Sequence, residues 1–118
     1  MLQPNEFEVY MLAFGKPGEM RTVTIPEDEL REINLYESLN ILDLIFKWGQ
    51  NDFQPQRHPS VSVGDVIALK DGGLYLVLPM GFAGIGKGVL KEYQETPRED
   101  RWKLVDEIKG YKQYRTKY

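Results

Sequence analysis

The stretch GFAGIGKG, residues 81–88, is one position away from a phosphate-binding loop of the form G-x-x-x-x-G-K-[ST]. Gly81, Gly86 and Lys87 fit that pattern, and Gly88 stands where a hydroxyl should hold Mg²⁺. LYLVLP, residues 74–79, reads as the buried strand such a loop must follow. The rest of the apparatus is missing. Residues 89–118 leave little room for further parallel strands, and their strongest helix signal comes only at Thr96. The glycines are therefore expected to serve a turn or a close backbone approach beside a strand. Lys87 is the one residue there suited to a simple anion or nucleotide contact.

Other chemistries fare no better. His58 is the only histidine and cysteine is absent, so neither a catalytic triad nor a thiolate or imidazole metal site is expected. Ser60 and Ser62 lack a G-x-S-x-G context. Of the carboxylates Asp52, Asp65 and Asp71, the last two fall in turn sequences, where Asp bonds nearby backbone. No catalytic residue, cofactor site or metal site is assigned. The loop Gln50, Asn51, Asp52, Phe53, Gln54, followed by Arg57 and His58, gathers hydrogen-bonding and aromatic side chains just past a helix end. Such loops carry recognition, but the same residues would also satisfy helix-end backbone groups and plug the core, and both readings stay open.

The elements that would position these residues read as follows. Residues 7–14 and 21–25 are strands joined by a loop with Gly15, Pro17 and Gly18, a hairpin pattern. Pro26 followed by Glu27, Asp28 and Glu29 starts a helix. Residues 35–48 carry one apolar stripe at helical spacing, with Gly49 placed as a left-handed cap. Residues 60–63 suggest a short strand, Gly64-Asp65 a turn, and 66–79 a hairpin turning at Asp71-Gly72-Gly73. Gly84–Gly88 is expected to be a flexible exit, and residues 89–95 fit either strand or helix. Thr96-Pro97-Arg98-Glu99 reads as a capping box opening a helix over about 97–109, with Trp102, Val105 and Ile108 on one side and Gly110 at its end. The fold class is α+β: a small, mostly antiparallel sheet on one main helix, plus a C-terminal helix, in a single domain over 1–118.

The chain is 42% hydrophobic and 28% charged, which suits an ordinary soluble domain, and its start lacks a signal-peptide pattern. With no cysteine, a cytoplasmic setting is the expectation and no membrane association is expected. The net charge of −3 is unevenly spread. Residues 1–50 are strongly acidic, whereas Lys109, Lys112, Arg115 and Lys117 face no acid in residues 109–118. Tyr111, Tyr114 and Tyr118 interleave with those cations, a pattern suited to base stacking and phosphate pairing, although a pI near 5.2 makes it a weak nucleic-acid signal.

From the long helix onward, LDLIFKWGQNDFQPQ, HPSVSVGDVIAL and GGLYLVLPMGF follow one another in an order that resembles the YodL-like family. Ser60, Ser62, Gly64, Asp65, Val66 and Ile67 match its middle segment, Tyr75 its hairpin aromatic, and Gly81-Phe82 its closing pair. The resemblance covers about residues 7–85 and leaves 86–118 as an extension. It implies a small accessory protein of phages, plasmids or conjugative elements, and it implies no shared enzymatic activity. The expectation is a non-catalytic protein that binds a host or mobile-element protein. Gln50, Asn51, Asp52, Phe53, Gln54, Arg57, His58, Asp65 and Lys87 are the candidate interaction positions, with Trp48, Phe53, Tyr75 and Phe82 as core or interface anchors. Two alternatives remain: a nucleic-acid-binding module using the basic, aromatic tail, and a protein that binds and sequesters a small ligand or nucleotide using Lys87. The sequence leaves the oligomeric state open.

Overall fold

The computed structural model describes residues 3–14, 18–33, 38–50 and 60–112. In chain order these form β1 (Glu6–Tyr10), β2 (Met20–Thr24), α1 (Glu27–Ile33), α2 (Ser38–Trp48), β3 (Val66–Ala68), β4 (Leu74–Val77), β5 (Phe82–Ile85), α3 (Lys87–Glu95) and α4 (Arg98–Lys112). The five strands make one sheet in the order β2-β1-β3-β4-β5, and every neighbouring pair is antiparallel. The α+β class follows directly.

Alternation along the strands builds two cores. Phe7, Val9, Val23, Ile67, Val77 and Phe82 face one way, against Leu42 and Ile45 of α2 and Leu30 of α1. Val66, Leu76 and Ala83 face the other way, against Leu90 and Tyr93 of α3 and Val105 of α4. Helices thus cover both faces of the sheet, and the C-terminal extension supplies the second layer. Lys47 of α2 pairs with Glu29 of α1 at 3.6 Å, which ties the first two helices together on the surface.

The hairpin between β3 and β4 turns where its residues dictate. Gly72 takes a φ of +96°, Leu69 N–H donates to the Gly73 carbonyl at 2.8 Å, and Gly73 N–H donates to Asp71 Oδ1. Pro26 immediately precedes α1, and Leu30 N–H donates to its carbonyl. Phe82 is buried, as an anchor should be.

Other local expectations are corrected. Residues 60–62 form no strand, because the chain must turn at Val63-Gly64, where Gly64 has a φ of +98°. Gly49 is not left-handed; a Cβ there would overlap Val61 Cγ2, so the glycine serves a close approach between the α2 terminus and Val61. Residues 89–95 are helical. Gly81 takes a φ of +82° in the turn before β5, as a turn glycine should, whereas Gly84 lies within β5 and Gly88 within α3, so residues 84–88 are strand and helix with Gly86 between them rather than a flexible exit. The Tyr75 ring lies 3.7 Å from where a Gly84 Cβ would sit, and this cross-strand neighbour stands beside the bare backbone. Thr96 does not open α4. Its hydroxyl donates to the Glu92 carbonyl at 2.7 Å and its residue closes α3 instead. Finally, α4 runs through Gly110 to Lys112.

Candidate interaction groove

Asp65 organises one end of the sheet. It is 1% exposed, one carboxylate oxygen accepts Ala13 N–H at 2.8 Å, and the other accepts Ser62 N–H at 2.8 Å. The side chain therefore joins the turn after β1 to the turn before β3. Burial pushes its carboxyl up to about 6, against the opposing pull of the backbone donors and of Arg21. Arg21 is the other buried charge among the described residues. Its Nη1 donates to the Gly49 carbonyl at 2.6 Å, at the negative end of α2, and burial lowers its pKa while Asp65 opposes that shift.

The C-terminal helices close the same end from the other side. Tyr93 of α3 donates its hydroxyl to the Gly64 carbonyl at 2.6 Å, and burial raises the phenol to about 12, so it stays a donor. Arg101 of α4 spreads its guanidinium over four backbone carbonyls. Nε donates to Tyr93 and Thr96, Nη1 to Leu12 at 2.7 Å and Nη2 to Gln94. The carbonyls left open at the α3 terminus are satisfied by the next helix, and α4 is tied to the turn after β1.

Between these tied parts lies a groove of about 350 Å³. Leu12, Tyr93 and Val105 contribute its buried surface, and Phe14, Val63, Pro79 and Trp102 line it at the surface. Phe14 is 69% exposed and Trp102 59%, with Met80 next to Pro79 also exposed. Large apolar side chains collected around one concavity are the mark of a docking surface rather than of scattered exposure. Arg98 and Asp106 also line the groove, each four residues from Trp102 along α4. One face of a single helix therefore offers a cation, an aromatic and an anion in turn.

The positions singled out from sequence fall elsewhere or inside. Asn51, Asp52, Phe53, Gln54, Arg57 and His58 lie outside the described residues. Gln50 uses its amide nitrogen on the Phe46 and Val61 carbonyls at 2.8 and 3.0 Å, a helix-end role. Asp65 is too buried to touch a partner and acts by holding the two turns. Lys87 is exposed in the first turn of α3, where Gly86 provides no side-chain cap. The strand before it pairs only antiparallel with β4, so the surroundings differ from a phosphate loop in a parallel sheet. Trp48 and Tyr75 pack against the first core, and of the basic, aromatic tail Lys109, Tyr111 and Lys112 fall within α4, residues 113–118 lying outside the described residues.

Phe14, Val63, Arg98 and Asp106 carried no sequence signal. For Trp102 the sequence gives only its place on one side of the helix with Val105 and Ile108, and the structure leaves it exposed while Val105 is buried.

No family model, curated protein or solved structure matches the chain. Among the described residues, no three or more His, Asp or Glu side chains are grouped to hold a metal, and no helix is long and apolar enough to cross a membrane.

Proposed function

We propose that this chain is a non-catalytic accessory protein that acts by binding another protein through the groove beside α4. The observation that carries the reading is the gathering of exposed Phe14, Val63 and Trp102 around one concavity whose base is rigidly tied by Tyr93, Arg101 and Asp65. A preformed apolar cleft costs little ordering on binding, and Trp is a preferred anchor at such contacts. Arg98 and Asp106 specify the partner's chemistry. The segment that enters presents an apolar side chain flanked by an acid on the Arg98 side and a base on the Asp106 side. The setting, a phage or other mobile element with a host or element protein as target, rests on the YodL-like resemblance of residues 7–85 alone.

The test is site-directed photo-crosslinking in cells. A crosslinking residue in place of Phe14 captures a defined protein, and the same residue in place of Lys87 does not. Binding reconstituted with that purified protein is lost on Trp102→Ala. Equal capture from both positions would end the assignment to the groove.

A further inference from the structure

The partner specification just given rests on the groove being a protein-docking surface, and this chain meets it. We propose that a second copy of the chain covers the groove, with the two α4 helices antiparallel about a two-fold axis at Trp102. In such a pair, a residue n positions before the axis faces the residue n positions after it on the other helix. Arg98 is four before Trp102 and Asp106 is four after. Each Arg98 therefore faces Asp106 of the partner subunit, and the contact is made twice. Both lie roughly 6 Å along the helix from the axis, at 1.5 Å per residue.

The pattern is self-complementary, as an isologous interface requires. Trp102 meets the partner's Trp102 at the centre, where Phe14 and Val63 wall the groove that receives it. The same register sets Arg101 against Lys103 of the partner subunit. That pair carries little repulsion, because the Arg101 guanidinium is turned onto four carbonyls of its own chain and Lys103 is paired with Asp100 at 3.7 Å. Apolar burial supplies the affinity and the two charge pairs fix the register.

Charge reversal separates this arrangement from any other. Arg98→Glu puts two carboxylates opposite each other at both ends of the interface, and Asp106→Arg puts two guanidinium groups there. Both side chains are exposed, and because Arg98 also has a contact within its own chain, circular dichroism and a thermal melt of each variant are the check that the monomer fold is kept. In sedimentation velocity from about 1 to 100 µM, the wild-type chain is expected to dimerise. Each single variant is expected to dissociate at least about tenfold more readily. An equimolar mixture of the two variants is expected to recover the dimer, since every introduced charge then faces its opposite. A wild-type monomer across the range, or a mixture no better than its components, overturns the two-fold. A monomer that still yields a crosslinked partner through position 14 leaves the groove reading standing without the dimer. A monomer without one removes both.

Discussion

The Tyr93 hydroxyl donates to the Gly64 carbonyl over 2.6 Å, in a buried contact that locks α3 onto the turn before β3. Tyr93→Phe keeps the ring and deletes the donor. The expected cost is about 1–2 kcal/mol, the range for a buried acceptor losing its partner. Urea unfolding of the variant reads it directly, and an unchanged midpoint would show the tie to be incidental.

Gly64 and Gly72 separate backbone strain from crowding. Both have φ near +97°, but an added Cβ at Gly64 meets the Tyr93 hydroxyl at 3.0 Å, whereas at Gly72 nothing lies within 4 Å. Gly72→Ala is expected to cost about 1 kcal/mol from the left-handed backbone alone. Gly64→Ala is expected to cost more, by a further 1 kcal/mol or so, because the helix tie must also give. Equal losses would mean that α3 moves aside freely.

Arg101→Lys keeps the charge and discards the fork. A lysine ammonium cannot reach all four carbonyls, so a loss of about 2–3 kcal/mol is expected. Hydrogen exchange should localise it. Protection falls first in α3 and α4, while β1 and β2 keep theirs. A uniform fall would count against Arg101 as the clasp between the layers.

Asp65 gives the chain a pH signature opposite to that of most carboxylates. Its folded pKa, about 6, lies above the unfolded value near 4. The folded state therefore holds the proton more tightly. The resulting stability is full below about pH 4 and is lost as pH rises through 6, amounting to at most roughly 3 kcal/mol. Asp65→Asn removes this titration but turns an amide N–H₂ toward one of two backbone donors, so it is the less stable protein at neutral pH. The stability difference between wild type and variant should shrink steadily from pH 4 to 7. A difference that grows over that range would place the Asp65 pKa below its unfolded value.

Gly88 lies in the first turn of α3, with nothing within 4 Å of an added Cβ and no positive φ. Gly88→Ala should stabilise the protein by about 0.5–1 kcal/mol through helix propensity. Destabilisation would indicate that the backbone there is kept bare for a ligand after all.

The Asp71-Gly73 turn, the Pro26 helix start and the hairpin pattern of β1 and β2 were legible in the sequence because each is set by neighbouring residues. Thr96 misled because its hydroxyl has two local uses, and the one chosen, on the Glu92 carbonyl, follows from where α3 ends. Gly49 misled because its constraint comes from Val61, twelve residues further along the chain. The groove was illegible for a related reason. Phe14, Val63 and Trp102 come from three distant parts of the chain, and only the sheet order with the Asp65 and Arg101 ties brings them together.

The strand order has a consequence for the growing chain. β1 is an interior strand, flanked by β2 on one side and β3 on the other, yet β3 comes more than fifty residues later in the sequence. During synthesis the β1–β2 hairpin can close and receive α1 and α2 while the far side of β1 still offers its peptide groups to any passing strand. The interval ends when Val66–Ala68 leaves the ribosome and docks. Slow translation between residues 25 and 66 would lengthen that exposure, and it is in this window that nascent chains of this protein are most open to mispairing with one another.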